Sequence, residues 1–261
     1  MNIKTNPPAI VLTSLQGSWK QYQSSASQPL LAMGAPYVDE RLRGGIAQAG
    51  LHEFFGAAKA DSHAAAAFAL LLAWRLPESN AGIFWITGDK ERQTSGRLYP
   101  YGLCDMGGDP SRILLVQTAH LRDALRAAAD AIRSKAASAV ILETHGNARL
   151  VDLTSTRRLA LAAAETGVLA LLVRGDAVPM PSAASTRWRI SSAPSVPLPG
   201  NAPGLPTFNI SLLRHRAGTA PFEARVTWDH ATRSFFDTPL SGGLSATVTD
   251  AEAGPPERFR A

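Results

Sequence analysis

Short, almost continuously apolar segments recur through the middle of the chain, separated by polar or glycine-containing turns. Segments of this length are typical of parallel β-strands that are covered on both faces. We therefore predict buried strands at Leu51–Phe55, Ile83–Thr87, Ile113–Gln117, Ala139–Leu142 and Val168–Val173.

Stretches with apolar residues at helical spacing lie between these strands. Asp152 and Thr154 are candidate N-caps for one of them, and Gly167 is a suitable residue to end it. Alternation of strand and helix predicts an α/β fold, with a mostly parallel sheet flanked by helices on both faces. The predicted helices are His63–Leu76, His120–Lys135 and about Thr154–Glu165.

The pattern changes after Arg174, where polar and apolar residues alternate with a period of two. Such alternation favours antiparallel strands added to one edge of the sheet. We expect one core domain over residues 31–239, a flexible N-terminal extension over 1–30, and a disordered Gly/Ser/Pro-rich tail over 240–261. The alternating segments are Thr186–Ser191, Thr207–Arg216 and Phe222–Trp228, with Phe235-Phe236 ending a further short strand.

Composition narrows the class of protein. Of the 261 residues, 45% are apolar, and the net charge of +5 is compatible with an acidic partner, with nucleic acid, or with an ordinary basic surface. Cys104 is the only cysteine, so we expect no disulfide framework and a cytoplasmic location. The histidines have no metal-ligand spacing, and neither a signal peptide nor a membrane span is expected.

The junction after the first predicted strand has the layout of a phosphate-binding loop. Such a loop needs G-x-x-x-x-G-K-[ST], in which glycine, lysine and hydroxyl contact phosphate and magnesium. Counted from Gly56, these three places hold Asp61, Ser62 and His63. Since a carboxylate at a helix N-terminus satisfies the helix dipole, we expect Asp61 to cap the helix and repel nucleotide. Lys59 lies too early in the loop to replace the missing lysine directly.

The order of the predicted strands, loops and turns along the chain resembles that of the RecA-type recombinase core. The resemblance is carried by the lead-in Asp39–Ile46, by Gly50–Gly56, by Trp85–Lys90, by Val140–Glu143, and by the Ala-Pro-Phe turn within Arg216–Phe222. It implies a P-loop-NTPase core with an antiparallel C-terminal edge. It also places Glu143 at the Walker B position and Asp89 nearest the catalytic acidic position. Without the lysine and hydroxyl, we interpret both as relic polar positions.

Within that superfamily the chain resembles the ImuA family. The segments that carry this are Gly50–Gly56, Tyr99–Leu103 with Gly107–Leu115, Asp152–Ala164 and Ala184–Pro194. The resemblance implies a non-catalytic accessory protein in DNA-damage-induced mutagenesis and translesion synthesis, without a cofactor. The implied partners are a Y-family-like polymerase homologue of the ImuB type, the RecA recombinase and a C-family mutagenic polymerase assembly.

Candidate nucleic-acid contacts form a separate group. Basic residues around an aromatic side chain can hold a phosphate backbone and stack on a base. Period-two alternation gives a second interpretation, in which Trp188 packs in the core and the arginines are solvated or pair with carboxylates. The connections after Glu143 and Arg174 are short for the DNA-binding loops of RecA proteins, so we expect weak DNA binding at most. The candidates are Arg187, Trp188, Arg189, Arg214 and Arg216.

Two other functions stay open at this point. One is a divergent RecA-type ATPase that uses Lys59 as an unorthodox phosphate ligand. The other is an SOS regulator that caps recombinase filaments or inhibits cell division. The tail beyond Leu240 is equally compatible with docking on a partner and with no specific role.

Overall fold

The computed structural model describes residues 29–77, 81–88, 96 and 98–239. Almost all of the predicted extension over 1–30, and the whole predicted tail over 240–261, lie outside these residues. The helices are α1 (Pro36–Arg41), α2 (Ser62–Ala73), α3 (Pro100–Asp105), α4 (Leu121–Ser134) and α5 (Leu153–Thr166), with 3-10 turns at Lys59–Asp61, Pro110–Arg112 and Pro199–Asn201. The strands are β1 (Leu30–Leu31), β2 (Ile46–Ala47), β3 (Gly50–Gly56), β4 (Gly82–Gly88), β5 (Ile113–Thr118), β6 (Ala137–His145), β7 (Leu169–Gly175), β8 (Thr186–Ala193), β9 (Thr207–His215), β10 (Phe222–Asp229) and β11 (Ser234–Thr238).

A nine-stranded sheet forms the centre of the fold, in the order β11-β10-β9-β8-β3-β7-β6-β4-β5. The strands from β8 to β5 pair in parallel, whereas β9, β10 and β11 are antiparallel. The predicted parallel sheet with an antiparallel C-terminal edge is therefore confirmed. The short pair of β1 and β2 lies beside it as a separate sheet.

The direction predicted for β8 is wrong. This strand pairs in parallel with β3, where Trp188 lies opposite Phe54, and antiparallel with β9. Its alternation arises because one face is buried in the core while Arg189, on the other face, is exposed. An alternating pattern thus reports whether both faces are covered, and it does not report strand direction.

Two hydrophobic cores lie on opposite faces of the sheet. On one face α2 packs against Phe54, Trp188 and the inward side chains of the antiparallel strands. On the other face α4 and α5 pack against each other and against β3, β4, β6 and β7. Helices on both faces explain why β3, β4, β6 and β7 are apolar along almost their whole length. The prediction of a buried strand is wrong for the edge strand β5, where Leu114 and Leu115 are exposed.

Local signals define the ends of α5 as the sequence predicts. The Asp152 carboxylate accepts a hydrogen bond from the Ser155 N–H at 2.7 Å, and the Ser155 hydroxyl accepts one from the Asp152 N–H at 2.9 Å. Gly167, with φ of 82°, ends the helix in the left-handed region that glycine adopts without strain. In the described part of the chain, no helix is long and apolar enough to span a bilayer.

Candidate functional site

The carboxyl ends of the parallel strands β3, β4, β6 and β7 meet at one edge of the sheet. In open α/β sheets this edge is where ligands bind. The loop from Gly56 to Ser62, the Walker B position Glu143, and the connections after β6 and β7 all lie there. Asp89, the predicted acidic position, lies outside the described residues.

The loop after β3 is wound tightly upon itself. A Cβ atom on Gly56 would lie 2.9 Å from the Ala58 oxygen, from the Asp61 carbonyl carbon and from the Ser62 nitrogen. The Ser62 hydroxyl donates to the Lys59 carbonyl at 2.8 Å, inside the 3-10 turn that precedes α2. Gly56 is therefore required for close backbone approach, and the Ser62 hydroxyl is already used within the loop.

Asp61 has a different role from the one predicted. It stands directly before α2, but its carboxylate makes no capping hydrogen bond to that helix. It accepts from the Ala58 N–H at 3.2 Å, from the Ser192 N–H at 3.0 Å and from the Ser192 hydroxyl at 3.2 Å. The capping expectation is wrong because the 3-10 turn directs this carboxylate towards β8. Asp61 thus links the loop to the end of the last parallel strand.

The other residues of the predicted site do not converge on one point. Lys59 is exposed, and no ion pair involves it within the described ranges. His63 is exposed and lines a mainly apolar cavity of about 210 Å³ next to α2. Glu143 lines the same cavity and accepts a hydrogen bond from the Trp85 indole N–H at 3.0 Å. The arrangement brings His63 and Glu143 to one cavity and leaves Lys59 outside its lining.

Arg187 pairs with a carboxylate, as the second interpretation of this segment expects, in a buried charge network whose other members, Glu53 and Arg174, the sequence does not identify. Its Nε donates to the Glu53 carboxylate at 3.0 Å, and the Ser182 hydroxyl donates to the same carboxylate oxygen at 2.5 Å. Arg174 lies 3.8 Å from the other oxygen of Glu53, and its side chain is 2% exposed. Burial lowers the pKa of Arg174, while Glu53 acts in the opposite direction. Because its guanidinium already donates to Glu53, to the Ser182 hydroxyl and to the Met180 carbonyl, Arg187 is a poor candidate for a nucleic-acid contact.

Trp188 cannot stack on a base in this fold. Its side chain is completely buried, with its ring edge-on to Phe222 at a centroid distance of 5.9 Å. Its indole N–H donates to the Thr186 hydroxyl at 2.8 Å. The second interpretation of this segment, in which Trp188 packs in the core, is therefore correct.

The remaining arginines of this group are on the surface. Arg214 lies opposite Arg187 in the ladder between β8 and β9, and it donates to the Ser182 carbonyl at 3.4 Å. Arg189 and Arg216 are exposed, and no side-chain partner binds them among the described residues. Two free cations thus remain of the predicted nucleic-acid group.

The connections that correspond to the DNA-binding loops are short and joined to each other. They cover residues 146–152, after β6, and residues 176–185, after β7. The Val178 N–H donates to the Asn147 side chain at 2.9 Å, and the Gly146 N–H donates to the Gly175 carbonyl at 2.8 Å. These two hydrogen bonds hold the starts of the two connections together.

These features define a RecA-like protein. The solved RadB recombinase superposes with a TM-score of 0.53 over 80% of this chain and 100% of its own, at 18% identity, which supports the shared fold. No protein-family profile matches the chain.

Relatives with similar sequences identify the family more specifically than the shared fold does. Two proteins named Protein ImuA, from Caulobacter vibrioides strains NA1000 / CB15N and ATCC 19089 / CIP 103742 / CB 15, are each 30% identical over 205 residues. Each match covers 73% of this chain and 80% of the relative. The chain therefore belongs to the ImuA family, as the sequence analysis predicts.

Proposed function

We propose that this protein is a non-catalytic, RecA-like accessory factor in DNA-damage-induced mutagenesis. It acts in the cytoplasm through contacts with a Y-family-like polymerase homologue and with the recombinase, in an assembly that includes a C-family polymerase. Membership of the ImuA family and the RecA-like fold support the general assignment. The state of the phosphate loop supports the non-catalytic part.

The position of the Asp61 carboxylate is the observation that most directly supports the non-catalytic assignment. Phosphate loops bind their ligand with backbone N–H groups and a lysine. Here the Asp61 carboxylate accepts a hydrogen bond from the Ala58 N–H and places a negative charge in the loop. A triphosphate would have to displace this group and overcome its repulsion, and Ser62 stands where a working loop has its lysine.

Calorimetric titration with ATP and Mg²⁺ tests the non-catalytic assignment. We expect no heat of binding at micromolar protein, and no phosphate release above a buffer control. Micromolar binding that disappears in the Lys59→Ala variant, and persists in a variant of an exposed lysine elsewhere such as Lys135→Ala, would establish the ATPase alternative instead.

Direct capture tests the partner assignment. The purified protein is immobilised, and the polymerase homologue and the recombinase from the same organism are passed over it separately, with and without single-stranded DNA. We expect saturable binding of the polymerase homologue in the absence of nucleotide. Absence of binding to both proteins would refute the proposed role.

A further inference from the structure

The outer surface of the α4–α5 layer carries a groove of about 740 Å³ with arginines on both sides. Arg122, Arg126 and Arg133 lie on one stripe of α4, since residues spaced by four and seven positions share a helix face. Arg158 faces them from α5. All four side chains are exposed. This surface, which we term the arginine groove, lies on the opposite face of the sheet from α2, and Leu150 and Asp152 extend it to the carboxyl edge of the strands.

Most of these arginines have no counter-charge within the described parts of the chain. Arg133 lies 3.7 Å from Asp130, and both groups are solvated. Arg122, Arg126 and Arg158 make no ion pair or side-chain hydrogen bond among the described residues. The second acid of the groove, Asp152, is already used to cap α5, and the Ser155 hydrogen bonds lower its pKa. The groove therefore keeps an uncompensated positive charge.

The floor between the arginines is apolar. Leu125 and Leu159 form its base, and Leu150, which is 44% exposed, lies at one end. The lining contains no aromatic side chain on which a nucleobase could stack. Two carboxylates, from Asp130 and Asp152, also border the groove and would oppose a continuous phosphate backbone. An apolar floor between basic walls complements an amphipathic protein segment with acidic flanks.

We propose that the arginine groove binds an acidic amphipathic helix of a partner protein. The α4 helix has 14 residues and is about 21 Å long at a rise of 1.5 Å per residue, so the groove accommodates about four turns of a bound helix. Leucine side chains of that helix fill the space over Leu125 and Leu159, and glutamates on its two flanks pair with Arg126 and Arg158. This inference rests on the proposed role in protein contacts and specifies the surface and the chemistry of the partner segment.

A designed peptide tests the groove without knowledge of the natural partner. The probe is a fluorescein-labelled peptide of about 16 residues with leucines at helical spacing and glutamates on both flanks, compared with a version that carries lysines instead. Fluorescence anisotropy is measured at about 50 mM and about 300 mM salt. We expect saturable binding of the glutamate peptide at low salt, weaker binding at high salt, and no binding of the lysine peptide.

Charge-reversed variants locate the binding site. Arg126→Glu on α4 and Arg158→Glu on α5 should each lower the affinity for the glutamate peptide by roughly tenfold, because an attraction becomes a repulsion. Arg43→Glu, at an equally exposed arginine between α1 and β2, is the matched control and should leave affinity for the glutamate peptide unchanged. Melting temperatures within a few degrees of the unsubstituted protein show that the substitutions leave the fold intact.

Several results would overturn the inference. These are no binding of the glutamate peptide, equal binding by all variants, or binding of an oligo-dT strand that the same two variants abolish, which would make the groove a nucleic-acid site. The capture experiment with the polymerase homologue is independent of these measurements. If capture succeeds and is insensitive to Arg126→Glu and Arg158→Glu, the proposed function stands and the groove is not the contact surface used.

Discussion

Acidification should destabilise this protein through one buried histidine. His52 of β3 is completely buried, and burial lowers its pKa from 6.5 to about 4. Its Nε2 lies 2.8 Å from the Ala47 carbonyl, and its Nδ1 lies 2.7 Å from the Thr186 hydroxyl. The network assigns a neutral ring that donates to Ala47 and accepts from Thr186, whose hydroxyl oxygen accepts from Trp188. A second proton on the ring would break this chain of hydrogen bonds.

The sign and size of the effect follow from the two pKa values. A folded-state pKa below the unfolded value means that the unfolded chain binds more protons between pH 6.5 and pH 4. Stability is therefore complete above about pH 6.5 and is lost progressively as the pH falls towards 4. A difference of this size corresponds to about 3 kcal/mol, at about 1.4 kcal/mol per pKa unit.

Urea denaturation followed by circular dichroism measures this effect at a series of pH values from 7.5 to 4.5. The His52→Gln variant will be less stable than the parent at neutral pH, and the difference should shrink by most of that 3 kcal/mol at the acidic end. His215, whose pKa burial and Arg43 also lower, is present in both proteins and cancels in the comparison. His63→Gln, at an exposed position, is the control, and its free energy of unfolding should depend on pH in the same way as that of the parent. The same pH dependence of the free energy of unfolding in the parent and in His52→Gln would refute this prediction.

Three further predictions follow from the fold and the sequence. Glu53→Gln leaves two buried arginines without their counter-charge and should lower the free energy of unfolding by about 3 kcal/mol in urea denaturation. Binding to single-stranded DNA should be weak, and Arg189→Ala or Arg216→Ala should each reduce the slope of log K against log salt by about 0.7 in anisotropy titrations. Deleting residues 241–261 should leave the melting temperature almost unchanged, because that segment has few apolar side chains, and should weaken capture of the polymerase homologue.

Each of these has a clear contrary result. Unchanged stability in Glu53→Gln would show that the network is not energetically coupled. Tight DNA binding at physiological salt, or continuous filaments on single strands in electron micrographs, would show that the short connections still act as DNA-binding loops. Undiminished capture by the truncated protein would move the partner contact to the core domain.

The sequence predicts the parallel strands and the long helices because their signals are local. Continuous apolar runs such as that of β7 arise directly from burial on both faces, and the Asp152 cap and Gly167 end are read within one helical turn. The pairing of Glu53 with Arg187 depends on the register of β3 against β8, which are far apart in the chain. Local patterns contain no information on that register, and Glu53 looks like an irregularity in an apolar strand.

The candidate site also has some features that are visible in the sequence and others that depend on the fold. The altered residues Asp61, Ser62 and His63 are visible in the sequence, but the direction of the Asp61 carboxylate is set by the 3-10 turn and by Ser192, far along the chain. The arginine groove had a detectable signal, since Arg122, Arg126 and Arg133 repeat at helical spacing on α4. Only the packing of α5 beside α4 shows that Arg158 completes it.

The link between Asp61 and Ser192 has a consequence for how such a protein would be regulated. In nucleotide-driven switches, a bound phosphate orders one conformation and its loss releases another, so partner affinity follows the ligand cycle. Here the same junction is closed by an internal carboxylate, and no ligand has to arrive or leave for the loop to hold its form. On the proposed non-catalytic function, we therefore expect partner affinity to be the same with ATP, with ADP and without nucleotide.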